Sequence, residues 1–266
     1  RVEEVQFIPT LLSNNGKGIR DLVNNWIGSF FNIATQFKRL DNEGTYLREM
    51  HADYNVMALM AIINETIETN EESCIAVKKL YDEHSYLWLT NMSEYFEKFK
   101  EDNMIVKESG LEILDLKAYA TEISKYEQVR SKILDLPSPV DMGWLRINTQ
   151  PIKSELIKWS SKWIDLFTNH LKITLNEFLS LLETDMAQVM KGLDRECVEG
   201  EAGKPALMAV MNDIRIVRLS NEKTKDMFAP LQDILNTLKA HGTDLGGLPK
   251  VGGMTPQDYL DEAPLS

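Results

Sequence analysis

Cysteine is scarce in this chain: two residues among 266, Cys74 and Cys197, lie far apart. That is too few for a disulfide framework and the wrong spacing for a zinc site, so a reducing compartment is expected. Histidine is nearly as rare. His51, His84, His170 and His241 form no HExxH or ExxH pattern, which leaves zinc-protease and di-iron bundle chemistry without support. No window approaches 18 uninterrupted apolar residues, so no membrane-spanning helix is expected. The opening RVEEVQFIPTLL lacks the basic and apolar regions of a secretory signal, and a soluble, intracellular protein is the expectation. Asn64-Glu65-Thr66 and Asn91-Met92-Ser93 accordingly read as chance matches to the glycosylation pattern. Positive charge is short as well, with 29 Lys+Arg against 41 Asp+Glu and a net charge of −12. Such a chain repels polyanions, so neither nucleic acid nor an anionic membrane surface is an expected partner. The chain has no initiator Met and stops at DYLDEAPLS, as expected of a piece of something longer.

What is present is apolar periodicity at helical spacing. From Ile19, apolar residues recur at Leu22, Val23, Trp26, Ile27, Phe30, Ala34 and Phe37, the stripe of an amphipathic helix ending near Leu40. Asp41-Asn42-Glu43-Gly44 reads as a turn. A second helix carries Tyr46, Met50, Tyr54, Met57, Met60, Ile63 and Ile67, and a third is expected from Glu71 to Lys100. A fourth runs from about Leu111 to Leu136 through Tyr119, Ile123, Tyr126 and Ile133.

Leu136-Pro137-Ser138-Pro139 stops helix, because each proline disfavours helical geometry in the residue before it. Met142 to Thr149 lacks a helical period and reads as extended. After Gln150-Pro151, with proline suited to a first helical turn, a stripe runs from Ile152 through Trp159, Trp163, Phe167 and Leu182 to Leu193. Unbroken, that helix is roughly 60 Å long. Glu199 to Lys204 reads as a charged inter-helix loop, followed by a helix from Pro205. Met227-Phe228-Ala229-Pro230 begins or kinks a final helix that Gly242 closes as a C-terminal cap.

The expected fold is therefore all-α, an elongated stack of long antiparallel helical bundles. Its expected parts are a first bundle over 1–136, a Pro-bounded extended connection over 137–151, a second bundle over 152–242, and a linker over 243–266 holding Gly246, Gly247, Gly252 and Gly253.

Catalytic motifs are absent. Gly200-Glu201-Ala202-Gly203-Lys204-Pro205 resembles a phosphate loop only in outline: Val198 stands where glycine is needed and Pro205 where the magnesium-binding Ser or Thr belongs. Glu65, Glu68, Glu71 and Glu72 cluster at helical spacing, which reads as a solvated face or a helix start. His84, beside Tyr81 and Trp88, reads as a packing residue, and His241 as a partner for terminal carbonyls. No catalytic residue, cofactor, metal or small-molecule substrate is expected. The aromatic residues say more. Trp26, Trp88 and Trp163 sit in apolar stripes and read as core. Trp144, in the non-helical connection, is expected to plug a bundle junction, the alternative being an exposed anchor for a partner. Trp159, one turn before Trp163, is the second candidate contact.

Three stretches carry a family resemblance. Gly143-Trp144-Leu145-Arg146-Ile147-Asn148-Thr149-Gln150-Pro151-Ile152-Lys153-Ser154-Glu155-Leu156, continuing to Trp163-Ile164 and Phe167, resembles a segment of the tail, or stem, of dynein heavy chains. Upstream, Tyr81, Tyr86-Leu87-Trp88, Phe96 and Phe99, then Ile133 to Pro137, are similar to the tail helix with a Tyr-Leu-Trp element and a following Leu-Pro step. Downstream, Met227-Phe228-Ala229-Pro230-Leu231 and the His241-Gly242 pair look like the F-x-P-L helix that ends at a glycine before the linker. The axonemal type fits better than the cytoplasmic.

The resemblance implies a rod segment of a very large motor subunit, with the ATP-hydrolysing ring and microtubule-binding stalk beyond Ser266 and no nucleotide turnover here. It implies dynein intermediate chains, light chains and neighbouring heavy chains as partners, and a place in the cytoskeleton of a cilium or flagellum, the axoneme. An unrelated helical adaptor and an all-helical enzyme are the alternatives; the first needs a regular helix-pair repeat that the sequence does not display, the second a pocket of convergent titratable groups.

Overall fold

Asp and Asn side chains start four of the eight helices described. Asp53 Oδ1 accepts from the Val56 N–H at 3.0 Å, Asn91 Oδ1 from Ser93 at 3.3 Å, Asp115 Oδ1 from Lys117 at 3.1 Å, and Asn148 Oδ1 from Gln150 at 3.1 Å. Each satisfies a donor that the first turn cannot pair internally. In the computed structural model, which describes residues 4–12, 15–41, 44–106, 112–193, 203–243 and 258, the helices are α1 (Ile19–Thr35), α2 (Leu47–Ala52), α3 (Tyr54–Asp82), α4 (Tyr86–Leu89), α5 (Met92–Asp102), α6 (Leu116–Asp135), α7 (Gln150–Leu193) and α8 (Gly203–Ala240). The strands are two short antiparallel pairs, β1 (Met104–Val106) with β2 (Glu112–Leu114) and β3 (Val140–Met142) with β4 (Leu145–Ile147). The fold is all-α.

Several boundaries differ from the sequence expectation. The expected break between Ile67 and Glu71 does not exist, because α3 runs through it. Its polar residues there are buried and partnered: Asn70 Nδ2 donates to the Thr66 carbonyl at 2.7 Å, and Glu71 takes a two-point ion pair from Arg20. The real interruptions fall at Asp53, whose extended backbone splits the expected second helix into α2 and α3, at Glu83–Ser85, and at Thr90, whose extended backbone ends α4 just before the Asn91 cap. The first turn expected of the fourth helix is strand β2 instead, and α6 starts only after Asp115. The extended stretch before Pro151 is found as β3 and β4, and α7 is one helix of 44 residues.

At the C-terminal end, Gly203 to Pro205 belong to α8 rather than to a loop, and Pro230 lies inside that helix. Cys197, Val198 and residues 200–202 of the phosphate-loop outline lie outside the described residues. So does the expected linker, apart from Thr243 and Asp258. Gly242, at φ +64, closes α8 as expected. The Thr243 N–H donates to the Leu238 carbonyl and the Gly242 N–H to Lys239, both at 3.0 Å, the two bonds of a Schellman cap.

The chain divides into two compact units, each drawn from two stretches: Arg1–Thr90 with Ile133–Ile157, and Asn91–Lys132 with Lys158–Ser266. In the first unit α2 packs on α1 and α3, and α3 also packs on β3. Arg20, near the start of α1, grips Glu71 far along α3, while Phe30 and Val56 line the same cavity, so α1 and α3 run antiparallel. Val23, Phe31, Ala34, Ile67, Cys74, Tyr81 and Leu87 form its core.

The second unit is centred on Phe167, which is fully buried. Its ring lies 5.1–6.1 Å from those of Phe96, Phe99, Tyr119 and Tyr126, and Tyr126 stacks at 5.1 Å on Trp163. Most of these contacts are edge-to-face, which the quadrupoles of aromatic rings favour. Leu171, Leu175, Leu179 and Leu182 of α7 and Leu231, Ile234, Leu235 and Leu238 of α8 extend that core.

His170 joins the cluster through a 3.1 Å hydrogen bond between its Nδ1 and the Tyr119 hydroxyl. Burial pushes the Tyr119 hydroxyl up to about 12, so it stays protonated. Burial, helped by Lys100, lowers the His170 pKa against the weaker pull of Glu177 and Glu97. The unfolded chain therefore binds a proton here more readily than the folded one. Stability should be full above pH about 6.5, the unfolded His value, and fall as the pH drops through it toward the lower folded value. Urea midpoints at pH 7.5 and 5.5 should differ more for the natural chain than for His170→Gln; equal differences would refute the assignment.

Candidate functional site

A tight turn places one tryptophan over the gap between α1 and α3. β3 and β4 are joined by two residues, Gly143 and Trp144, and Gly143 has φ +60 while Trp144 does not share that left-handed geometry. This is the pattern of a type II′ hairpin, in which glycine at the first central position matches the strand twist. A second constraint acts on the same glycine: a Cβ added there would lie 2.9 Å from Asn70 Oδ1. The hairpin thus sits directly on α3, and Trp144 is carried at its tip.

Trp144, 45% exposed, closes one side of an apolar groove with a cavity volume of about 550 Å³. Val23, Trp26, Ile27 and Phe30 of α1 form one wall, and Val56, Leu59, Met60, Ile62, Ile63 and Thr66 of α3 form the other. Thr66 supplies the one polar side chain. Trp26 is 59% exposed, which corrects the expectation that it belongs to the core; its stripe on α1 is wider than α3 can cover. Leu59 and Ile62 are 60% and 58% exposed. Two charge-free runs explain the character of the surface: no Asp, Glu, Lys or Arg occurs from Leu22 to Phe37 or from Tyr54 to Asn64.

The other candidate contact, Trp159, is in α7 and half-buried, with Lys162 Nζ 4.1 Å above its ring. It belongs to the second unit and Trp144 to the first. Trp163 is fully buried as expected, and Trp88 half-buried. The remaining histidines are engaged in packing and pairing: His51 stacks on Phe31 with centroids 4.1 Å apart, and His241 Nδ1 lies 3.1 Å from Glu127 Oε2. Cys74 is fully buried, and burial raises its thiol pKa, with Glu71 adding to the shift. Among the described residues no group of three or more His, Cys, Asp or Glu is placed to hold a metal, and no helix is long and apolar enough to cross a membrane.

No family model matches the chain. The beta chain of the flagellar outer-arm dynein of Chlamydomonas reinhardtii is 28% identical over 258 residues, covering 86% of this chain and 6% of its own length. Dynein axonemal heavy chain 11 of Sus scrofa is 25% identical over 258 residues, and dynein axonemal heavy chain 17 of Homo sapiens 22% over 251, each covering 90% of this chain. These matches support a dynein heavy-chain segment of axonemal type. The chain spans about 6% of the length of these relatives.

The stretch by which this segment resembles dynein tails has a physical explanation in the first unit. Gly143 makes the turn, Trp144 is presented at its tip, and Pro151 occupies the first turn of α7. Lys153 Nζ donates to the carbonyls of Leu134 and Leu136 at 2.7 Å each, satisfying acceptors at the end of α6. The sequence pointed to Trp144 but not to the groove, because the α1 and α3 walls are more than 25 residues apart along the chain and over 70 residues from the hairpin.

Replacing Gly143 with Ala should destabilise the chain by about 1–3 kcal/mol, from left-handed backbone cost and displacement of Asn70. Trp144→Ala, at a half-exposed site, should cost less than the ~3 kcal/mol of a buried aromatic. Urea unfolding of both variants checks the order; a Trp144→Ala loss above that of Gly143→Ala would mean the indole is a core plug.

Proposed function

We propose that this chain is a tail segment of an axonemal dynein heavy chain: a helical rod that transmits force between the base of the motor complex and the linker and ATPase ring, and a docking surface for dynein intermediate chains, light chains or neighbouring heavy chains. What carries the reading is colinear similarity to axonemal heavy chains along most of the chain. Those relatives are flagellar and axonemal dyneins, which supports a cytoskeletal place in the axoneme of a cilium or flagellum. Two structural features fit the role. At 44 residues and 1.5 Å per residue, α7 is about 66 Å long. The apolar groove of the first unit supplies a surface of the kind that partner helices use.

In this reading the segment itself turns over no nucleotide, and its contribution is mechanical. The isolated chain should give a small-angle scattering radius of gyration well above the roughly 18 Å of a compact domain, and its thermal midpoint should not move with Mg-ATP. A compact scattering profile would remove the rod. A clear upward shift of the midpoint with Mg-ATP would reveal a nucleotide site, since a ligand at 100 times its Kd stabilises by about 2.7 kcal/mol.

A further inference from the structure

We propose that residues 4–12, ahead of α1, form a strap that opens at its Glu4 end, pivots at Thr10 and Leu11, and so uncovers the cavity beside Cys74 while the rest of the first unit stays folded.

The strap is tied at two places, and the ties differ in kind. At the pivot the Ile19 and Arg20 N–H groups donate to the Thr10 and Leu11 carbonyls at 2.9 and 3.1 Å, so the strap supplies acceptors to first-turn donors of α1 that have no partner within the helix. At the Glu4 end the ties go to the last turns of α3. Lys78 Nζ lies 3.2 Å from Glu4 Oε2 and 3.8 Å from Asp82 Oδ2, and the Val5 N–H donates to Asp82 Oδ1 at 3.2 Å. Glu4 is exposed, and Lys78 and Asp82 are partly so. Ion pairs in contact with water hold weakly and weaken further with salt, which makes this latch the end that lets go.

Between the two ties the packing is incomplete. Val5, Phe7 and Leu11 are half-buried, while Ile8 between them is 96% exposed. The strap shares a cavity of about 410 Å³ with Cys74, Val77 and Tyr81 of α3, Leu145 and Ile147 of β4, and Ile152 of α7. Side chains that face a void forgo dispersion contacts on that side, so lifting the strap gives up little. A segment with few buried contacts and exposed hydrogen bonds opens at a free energy well below that of global unfolding. Cys74 is fully buried on the wall that the strap faces, and its thiol reports the opening.

The test times N-ethylmaleimide labelling of Cys74 in the full polypeptide, read by peptide mass spectrometry. The reagent is uncharged, so salt acts on the protein alone. Labelling should be slow compared with the unfolded chain and flat across low urea, because a local opening exposes little new surface. Glu4→Gln with Asp82→Asn should speed it about threefold to tenfold, and 0.5 M salt should speed the natural latch but not the substituted one. Glu4 and Asp82 are at the surface, so folding is retained. Phe31→Leu, which loosens the core at the other end of α1, should leave the rate unchanged. A rate that climbs with urea from the first additions, that Phe31→Leu raises, or that the latch substitutions leave alone overturns the proposal. Labelling as fast as in the unfolded chain overturns it as well, since Cys74 would then have no cover to lift.

Discussion

The carbonyls of Leu134 and Leu136, at and just beyond the end of α6, have no further helical turn to supply donors, and Lys153 Nζ reaches both at 2.7 Å. Thr149 Oγ1 donates to the next carbonyl in line, that of Pro137, at 3.0 Å, and the Tyr81 hydroxyl approaches the same oxygen. Three carbonyls of the α6–α7 connection are thereby satisfied from the segment that starts α7. A helix C-terminus also carries partial negative charge, so an ammonium group is the favoured donor there. With both ends of the connection held, the residues between them form a short antiparallel pair whose turn rests on Asn70 of α3. Trp144 has its place over the α1/α3 groove because of this sequence of constraints.

The same chain of contacts explains why Pro, Lys and Gly recur in the stretch that resembles dynein tails. Pro137 and Pro139 prevent α6 from continuing, Gly143 permits the turn, Pro151 suits the first turn of α7, and Lys153 ties the two helix ends together. They are required by geometry, and a loose motif spread over fourteen residues is what a geometric requirement leaves in a sequence.

Helix content and the length of α7 were legible from periodicity, and the Gly242 cap from the apolar run that stops there. Interruptions were less so. Apolar spacing continues through Trp88, Met92 and Tyr95 although the backbone breaks at Thr90, because α4 buries Leu87 in the first unit and α5 buries Phe96 in the second, each helix keeping an apolar face of its own. The reverse error occurred at Asn70-Glu71: a polar pair reads as a boundary when its partners, Thr66 and Arg20, are invisible to local pattern. Strands β1 and β2, three residues each, are too short for alternation to register against a helical background. Trp144 was recognisable as a contact residue, but its wall partners come from α1 and α3, and no one-dimensional pattern joins them.

The charge-free runs in α1 and α3 stand out because the rest of the chain is so acidic. An exposed apolar helix face loses hydrophobic stabilisation for as long as it stays in water, and a chain with 41 Asp+Glu has ample polar material to cover it. Placing none from Leu22 to Phe37 or from Tyr54 to Asn64 keeps the groove dry-walled. The apolar walls supply affinity without orientation, since the hydrophobic effect has no direction.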